Sequence, residues 1–250
     1  MGPLLRVENV KKIYQGVTAL NDVSFTVEQG DIVGLIGPNG AGKTTLLSCI
    51  SGTQDVSSGD IFFRGNSIRD WPIHKRTKTG IGRTFQIVQP FKSLTVYENV
   101  LIPWIFTKKK KKENKNAVIQ SLELVDIIRL FGLSKKEKMH ANELDLPEQK
   151  RLEFARALAT NAELLLLDEV MAGLNRVEMT GILDLIQEIN QKGMTIILVE
   201  HVLKAVVRVS KRIVVLQTGK KIAEGAPREV LVNEQVRRAY IGTDEKEAQS

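Results

Sequence analysis

The chain has 250 residues, of which 42% are hydrophobic, and a formal net charge of +7. This length allows one large α/β domain or a core with an inserted lobe, and the hydrophobic content is sufficient for a packed interior. No apolar run reaches the roughly 18 residues that a membrane-spanning helix needs, and the N-terminus lacks the charged-then-apolar pattern of a signal peptide. The single cysteine, Cys49, excludes an internal disulfide. We therefore expect a protein that is made and kept in the reducing cytoplasm.

Much of the excess positive charge lies in one lysine-rich segment. Five consecutive lysines occupy residues 108–112, and Lys115 follows closely. A solvated loop or helix start is the simplest role for such a run, and contact with anionic lipid headgroups is the alternative. The sequence signatures of the common nucleic-acid-binding modules are absent, so we expect no nucleic acid partner.

The start of the chain has the pattern of β-strands. Apolar and polar side chains alternate in residues 5–10 and 23–27, and a further strand is predicted at 61–63 after a turn at 57–59. A period of two is typical of half-exposed antiparallel strands. The sequence therefore predicts a side sheet in this part of the protein.

A glycine-rich loop is the most informative motif of the chain. Residues 37–45 read Gly-Pro-Asn-Gly-Ala-Gly-Lys-Thr-Thr, between an apolar run at 31–36 and a helical pattern at 45–50. Glycines let the backbone turn so that its N–H groups point at phosphates, which side chains would otherwise block. The lysine is spaced to reach the β- and γ-phosphates, and the first threonine to supply a hydroxyl ligand to Mg²⁺. The sequence therefore predicts a site for a nucleoside triphosphate, formed by Gly37, Pro38, Asn39, Gly40, Ala41, Gly42, Lys43, Thr44 and Thr45.

From about residue 92 to about residue 160, the hydrophobic period changes to that of helices. Two predicted helices each place apolar side chains on one face, namely Val118, Leu122, Val125 and Ile128, and then Leu152, Ala155 and Leu158. We expect a helical lobe here, inserted between two parts of a nucleotide-binding core. The core resumes with two buried strands at 164–167 and 195–199, joined by a crossover helix, and a hairpin and short helices follow.

Two adjacent acids end the first of these resumed strands. Asp168 directly follows the apolar run at 164–167, and Glu169 comes next. In an open parallel sheet, ligands bind at the carboxyl ends of the strands, so Asp168 is expected to be a second Mg²⁺ ligand. Glu169 is then placed to accept a proton from an attacking water molecule, as a general base.

Three further side chains are candidates for nucleotide contact. His201 follows the strand at 195–199, where a neutral imidazole is able to hydrogen-bond the γ-phosphate and sense its loss. Gln86 lies where the core meets the helical lobe, so its amide is expected to touch Mg²⁺ or water. Tyr14 is expected to stack on the purine, with ordinary strand packing as the alternative. His74 and His140 are expected to be structural.

These parts, in this order, resemble the nucleotide-binding subunits of ATP-binding cassette (ABC) transporters, and the likeness covers residues 5–242. The resemblance implies a P-loop NTPase core at 1–91 and 161–250 with an antiparallel β subdomain, and an α-helical subdomain at 92–160. The segments at 83–86, 151–158, 172–175, 200–201 and 239–242 are most similar to the ATPases of branched-chain amino acid importers. The lipopolysaccharide-export ATPase is a poorer match at 83–85.

The chain departs from this family at the signature segment. The family has Leu-Ser-Gly-Gly-Gln or a near variant, which opens a helix and offers its hydroxyl and N–H groups to the γ-phosphate held by the opposite subunit. Here the segment is Leu-Asp-Leu-Pro-Glu-Gln at 144–149, so the altered signature consists of Asp145, Leu146, Pro147, Glu148 and Gln149. The acids and the missing N–H of proline disfavour phosphate, although aspartate and proline remain good residues for starting a helix.

The resemblance implies a peripheral ATPase that hydrolyses ATP with Mg²⁺ at the cytoplasmic face of the cell membrane and energises a permease. Lys43, Glu169 and His201 are the expected catalytic residues, and a second, different ATPase subunit with a regular signature is the expected partner. Branched-chain amino acid import is the favoured function. Import of urea or amides, lipopolysaccharide-type export, a regulatory ATPase without a permease and a scaffold that does not turn over ATP remain as alternatives.

Overall fold

The computed structural model describes residues 2–84, 89–108 and 122–247. Gln86, Val118 and the lysines at 109–112 lie outside these ranges, so the predictions about them concern residues that are not described. The chain divides into two compact units, Met1–Ile73 with Ile197–Ser250, and His74–Ile196.

The elements alternate between strands and helices, as an α/β protein requires. The strands are β1 (Leu5–Tyr14), β2 (Val17–Val27), β3 (Ile32–Ile36), β4 (Ser58–Phe63), β5 (Asn66–Ser67), β6 (Ile81–Arg83), β7 (Leu164–Asp168), β8 (Thr195–Val199), β9 (Arg212–Gln217) and β10 (Lys220–Gly225). The helices are α1 (Lys43–Ser51), α2 (Ile73–Thr79), α3 (Val96–Lys108), α4 (Leu124–Leu130), α5 (Leu146–Ala159), α6 (Arg176–Gln191), α7 (Leu203–Val209), α8 (Pro227–Val232) and α9 (Glu234–Glu247).

The first unit contains the predicted antiparallel side sheet. Its strand order is β2-β1-β4-β5, and β1 pairs antiparallel with both β2 and β4. The alternation in the sequence is realised in β1, where Leu5, Val7 and Val10 are buried between more exposed neighbours. Half-exposed strands of this kind bury one face of the sheet.

The same unit contains the strand that leads into the glycine-rich loop. All five residues of β3 are buried, and β3 runs parallel to β9, which forms the predicted hairpin with β10. Helix α7 packs closely on β3, because a Cβ atom at Gly34 would lie 2.3 Å from Cγ1 of Val206 and 2.8 Å from Oγ of Ser210. A glycine in this strand therefore allows the close approach of the helix.

The second unit contains most of the helices and two parallel strands. Strand β6 pairs with β7, so that Arg83 and the acidic end of β7 lie at the same edge. The face predicted for α5 is confirmed, since Leu152, Ala155 and Leu158 are all fully buried. Strand β8 crosses the boundary between the two units.

The face predicted for α4 is only partly correct, since Ile128 is buried as predicted but Val125 is not. Val125 is 47% exposed, and the buried side chains are Leu124, Ile127 and Ile128. The helix begins only after its N-cap residue Glu123, whose backbone N–H donates to the Asp126 carboxylate at 3.2 Å, so a pattern counted from residue 118 has the wrong phase. The spacing i, i+3, i+4 from Leu124 gives the apolar stripe that the structure buries.

Across the described residues, no helix combines the length and the apolar character that crossing a bilayer would demand.

Candidate nucleotide-binding site

The backbone of the glycine-rich loop can be formed only by glycine at two positions. Gly37 and Gly42 have φ angles of 151° and 101°. A Cβ atom at Gly37 would lie 2.1 Å from the carbonyl oxygen of Leu216, and one at Gly42 would lie 2.6 Å from that of Ala19. Since the obstructing atoms belong to the backbone, they cannot move aside as a flexible side chain can. The loop is therefore held tightly between β2 and β9.

The loop presents positive charge where a phosphate would bind. Lys43 is only 5% exposed, and its ammonium donates hydrogen bonds to the carbonyl oxygens of Gly37, at 2.7 Å, and Pro38, at 3.0 Å. Helix α1 begins after Gly42 without a side-chain cap and without an acid in its first turn. Its first N–H groups and the positive end of its dipole form a ready site for an anion.

Tyr14 is anchored to the start of α1. Its hydroxyl makes a side-chain hydrogen bond with Thr45, and the Lys12 ammonium lies 4.8 Å from the centroid of its ring. Partial burial raises the pKa of the Tyr14 phenol, nearby Cys49 adds to the shift, and the Thr45 hydrogen bond opposes it. The side chain is 38% exposed, and its stacking on a purine stays a prediction.

Tyr240, in α9, contacts the loop from the C-terminal part of the chain. It makes a hydrogen bond with the backbone of Gly37, and it packs against a cluster that contains Ile36 and Val236. Burial raises the pKa of the Tyr240 phenol, and the hydrogen bond with Gly37 opposes that shift. Sequence reasoning gave this tyrosine no role, and its only signal was the similarity of residues 239–242 to one branch of a family.

His201 belongs to the first unit and lies two residues after the end of β8. Its side chain is exposed. This position at the carboxyl end of a strand agrees with the expected one. The contact with a γ-phosphate stays a prediction.

In the second unit, the two predicted acids are buried at the end of β7. Asp168 is 1% exposed, and its Oδ2 accepts a hydrogen bond of 2.9 Å from the guanidinium of Arg83. Its backbone N–H donates to the hydroxyl of Thr84, 3.3 Å away. Sequence patterns do not predict the pairing of Arg83 with Asp168, because the two residues are 85 positions apart and only the alignment of β6 with β7 brings them together.

Glu169 has an unusual backbone conformation. Its φ angle is +51°, in the left-handed region, which costs a non-glycine residue free energy on the order of 1 kcal/mol. The Lys150 ammonium, from α5, lies 3.5 Å from its carbonyl oxygen. Strain of this kind at an acid is typical of functional sites. Its role as the general base stays a prediction.

The altered signature forms the first turn of α5 and satisfies its own backbone. The Asp145 carboxylate accepts from the Glu148 N–H at 2.9 Å, and the Glu148 carboxylate accepts from the Asp145 N–H at 3.3 Å. Pro147 is the second residue of the helix and has no N–H to donate. Lys136 forms an ion pair with Glu148, and the Gln149 side chain donates to the carbonyl oxygen of Leu144 at 2.8 Å. Asp145 is therefore the N-cap that the sequence predicts.

A groove of about 410 Å³ lies in the second unit, between α3, α5 and the segment at 89–91. Its lining includes Arg83, Gln89, Phe91, Ile102, Glu153 and Arg156. The Arg156 guanidinium lies 4.6 Å above the ring centroid of Phe91 and donates to the carbonyl oxygen of Gln89 at 2.9 Å. Burial lowers the pKa of the Arg156 guanidinium, and neighbouring Glu153 opposes that shift.

Asn99, which sequence reasoning did not single out, fixes the turn beside this groove. It is fully buried in α3, and its amide donates to the carbonyl oxygens of Phe91 at 3.0 Å, Leu94 at 3.2 Å and Thr95 at 2.9 Å. Its side-chain oxygen accepts from the Phe91 N–H at 2.9 Å. One buried amide therefore holds the chain that carries Phe91 to the groove.

Two of the three residues predicted to hold Mg²⁺ are described by the structure, and each belongs to a different unit. Among the described residues, no group of three or more His, Cys, Asp or Glu side chains is placed to hold a metal ion. The expected ligands, the Thr44 hydroxyl and the Asp168 carboxylate, are hard oxygen donors, which Mg²⁺ prefers together with phosphate oxygens and water. The third expected ligand, Gln86, lies outside the described residues.

The glycine-rich loop and the uncapped helix that follows it are the features of a P-loop nucleotide-binding protein. Comparison with protein families makes the class specific. Residues 20–172 match the ABC transporter family, and residues 220–246 match the branched-chain amino acid ATP-binding cassette transporter family. The chain therefore belongs to the ABC transporter family, as one of its ATP-hydrolysing cassettes.

Similar proteins cover nearly the whole chain. The probable branched-chain amino acid transport ATP-binding protein LivG of Archaeoglobus fulgidus is 36% identical, with 98% of this chain and 97% of that protein covered. The lipopolysaccharide export system ATP-binding protein LptB of Haemophilus influenzae is 34% identical, with 96% and 97% covered. The crystal structure of the ADP conformation of MJ1267, an ATP-binding cassette of an ABC transporter, is 33% identical with a TM-score of 0.84, and it covers 97% of this chain and 100% of its own.

Proposed function

We propose that this protein is the ATPase subunit of an importer of branched-chain amino acids. The single observation that carries the proposal is the match of residues 220–246 to the branched-chain amino acid family, in the segment that places Tyr240 against the phosphate loop. The 36% identity to LivG supports the same function. Because LptB is almost as similar, lipopolysaccharide-type export is the second candidate.

The protein acts at the cytoplasmic face of the membrane, as a peripheral subunit bound to permease subunits. The groove between α3 and α5 supports this attachment, because it combines apolar side chains with Arg83, Glu153 and Arg156. This lining would complement a permease segment that inserts one apolar residue and one polar group into the groove.

Each predicted site residue has a part in ATP turnover. The N–H groups of the loop and Lys43 bind the phosphates, and Tyr14 holds the purine. Glu169 accepts the proton of the attacking water, and His201 hydrogen-bonds the γ-phosphate. Thr44, Asp168 and Gln86 would hold Mg²⁺, which would supply positive charge that offsets the charge on the phosphates.

This chain works in an asymmetric pair with a different ATPase. The related cassette MJ0796 has a dimeric structure bound to ADP and Pi. The resemblance to ABC ATPases implies that each ATP is held between the phosphate loop of one subunit and the signature of the other. The N-cap aspartate, the proline and the paired glutamate leave the altered signature few free donors for a phosphate. The site that uses this chain's loop and the partner's signature is therefore the active one.

Transport by reconstituted vesicles tests the proposed substrate. The chain is assembled in vesicles with candidate permease subunits and a second ATPase, and uptake of radiolabelled leucine, isoleucine and valine is measured with ATP enclosed in the vesicles. Urea and acetamide are the control solutes. Uptake of the amino acids alone supports the proposal, and uptake of urea or acetamide instead contradicts it.

Membrane fractionation tests the attachment to a permease. The chain is expected in the membrane fraction when the permease subunits are co-expressed and in the supernatant without them. Arg156→Ala, which removes the groove arginine above Phe91, should reduce the membrane-bound fraction. A chain that stays in the supernatant with its permease would support a regulatory ATPase instead.

A further inference from the structure

Arg83 belongs to two sites at once. Its side chain lines the groove between α3 and α5, and its guanidinium donates to Oδ2 of Asp168 at 2.9 Å. Both side chains are shielded from solvent, at 8% exposure for Arg83 and 2% for Asp168. One arginine side chain therefore joins the lining of the groove to the carboxylate that is expected to bind Mg²⁺.

The backbone that carries Arg83 is held firmly from both sides. A Cβ atom at Gly82 would lie 2.9 Å from Cδ2 of Leu165, in β7, and 3.0 Å from the carbonyl oxygen of Ala157, in α5. Ala157 itself lines the groove. Because β6 packs closely against both β7 and α5 at Gly82, we expect a shift of α5 at the groove to displace the backbone that carries Arg83.

The ion pair with Arg83 also restricts the orientation of the Asp168 carboxylate. With Oδ2 bound to the guanidinium and the backbone N–H of Asp168 bound to Thr84, rotation of the carboxylate is restricted. A buried carboxylate that loses its cationic partner is strongly destabilised, so it must reorient or lose its charge. In either case a metal ion would meet a less suitable ligand.

We propose that Arg83 is a positioning residue that transmits occupation of the groove to Asp168 and so sets the affinity of the nucleotide site for Mg²⁺. This inference rests on the proposed function of the groove and of Asp168. Arg83 does not contact the nucleotide in this proposal. It acts through the Asp168 carboxylate, which it holds by a hydrogen bond.

The Mg²⁺ dependence of nucleotide binding tests the first half of the proposal. Binding of a fluorescent ADP analogue to the purified full-length chain is titrated with MgCl₂, and the half-saturating Mg²⁺ concentration is measured. Arg83→Gln should raise this concentration about tenfold, as is typical when a side chain that orients a metal ligand is removed. Arg83→Lys keeps the charge but loses the fork of donors, and it should give an intermediate value.

Arg129→Gln is the matched control, because this arginine of α4 is mostly exposed, pairs with Asp126 and does not line the groove. It should leave the half-saturating Mg²⁺ concentration unchanged. Affinity for the analogue in EDTA should be the same in all variants, which verifies that each one is folded. An unchanged or lower Mg²⁺ requirement in Arg83→Gln and Arg83→Lys would overturn the proposal.

A bulky group placed in the groove tests the second half. Ile102, a half-buried groove residue of α3, is replaced by cysteine and labelled with a large maleimide, since the only native cysteine is buried. The label should change the half-saturating Mg²⁺ concentration about fivefold when Arg83 is present, and it should have no effect in Arg83→Gln. Equal effects in both backgrounds would contradict transmission through Arg83.

The wild-type titration separates this inference from the function on which it rests. If Mg²⁺ does not tighten binding of the analogue to the wild-type chain, the proposed metal site and this inference both fail. If Mg²⁺ tightens binding and Arg83→Gln does not alter the requirement, only the inference fails.

Discussion

Helices α1 and α5 begin in opposite ways. At the start of α1, Gly42 provides a left-handed turn, and the first turn has neither a side-chain cap nor an acid. At the start of α5, Asp145 and Glu148 cap each other's backbone, and Pro147 removes a further donor. In the ABC family both helix starts are expected to face phosphate, one in the subunit's own site and the other across the dimer.

The difference shows that a helix start can keep its structure and lose its ligand. A capping box stabilises a helix by satisfying N–H groups that would otherwise need water or an anion. The bonds that make α5 begin well are therefore the ones that a phosphate would have used. We therefore expect the composite site that uses the start of α1 in this chain to turn over ATP faster than the composite site that uses the start of α5.

The largest expected effect comes from removing the cation at the start of α1. Lys43→Ala should reduce ATP turnover by about 100-fold or more, because a positioned positive charge at the phosphates contributes on this scale. Steady-state ATPase activity of the assembled pair measures it. Lys211→Ala is the matched control, since Lys211 pairs with Asp31 and is mostly exposed. An activity loss of similar size in the control would contradict the assignment.

Restoring a regular signature should make the two helix starts alike. The triple change Asp145→Ser, Pro147→Gly and Glu148→Gln returns a hydroxyl and an N–H donor to the first turn of α5 and removes both acids. In a pair that already carries Glu169→Gln, it should raise ATP turnover about tenfold or more, because the second site gains donors for its phosphate. Asp145→Ser alone should not do so, since Pro147 and Glu148 remain. A pair that stays inactive after the triple change would weaken the comparison.

The cap of α5 has a smaller effect, on stability. Asp145→Ala removes the acceptor for the Glu148 N–H and should lower the free energy of unfolding by about 1 kcal/mol. Asp145→Ser keeps an acceptor and should cost only a few tenths, about 0.3 kcal/mol. Chemical denaturation of the isolated chain distinguishes them. Equal losses in the two variants would show that the carboxylate is not acting as the cap.

Tyr240→Phe should have an effect on stability similar in size to that of Asp145→Ala, and it acts on the α1 side. It keeps the packing against Ile36 and removes the hydrogen bond with Gly37, so we expect a loss of about 1 kcal/mol in unfolding free energy. The raised pKa of Tyr240 means that its stabilising effect is complete below pH 10.0 and is lost as the pH rises through the folded-state value. Stability should therefore fall less steeply above pH 10.0 in the phenylalanine variant.

Features that depend on short stretches of sequence were predictable. The phosphate loop, the acids at the end of β7 and the cap at Asp145 each follow from residue types at fixed spacing within one element and its loop. The hairpin of β9 and β10 and the buried face of α5 were predicted for the same reason. Local patterns determine local backbone structure, and the structure confirms these elements.

Contacts between distant segments were not predictable from one sequence. The pairing of Arg83 with Asp168 depends on the register of β6 against β7, and the contact of Tyr240 with Gly37 depends on how α9 packs. The error in the face predicted for α4 has a simpler cause, since the N-cap residue Glu123 marks a helix start that the hydrophobic pattern alone did not locate. Several arrangements of these segments are compatible with the sequence pattern, and tertiary packing determines which of them forms.

The most direct test of the asymmetry compares one substitution in the two subunits of the pair. ATP turnover is measured with Glu169→Gln in this chain, and separately with the equivalent change in the partner ATPase. We expect a loss of about 100-fold from Glu169→Gln, because this chain's site contains the general base that turnover requires. The change in the partner should leave most of the activity. A greater loss from the partner's substitution would contradict the asymmetry.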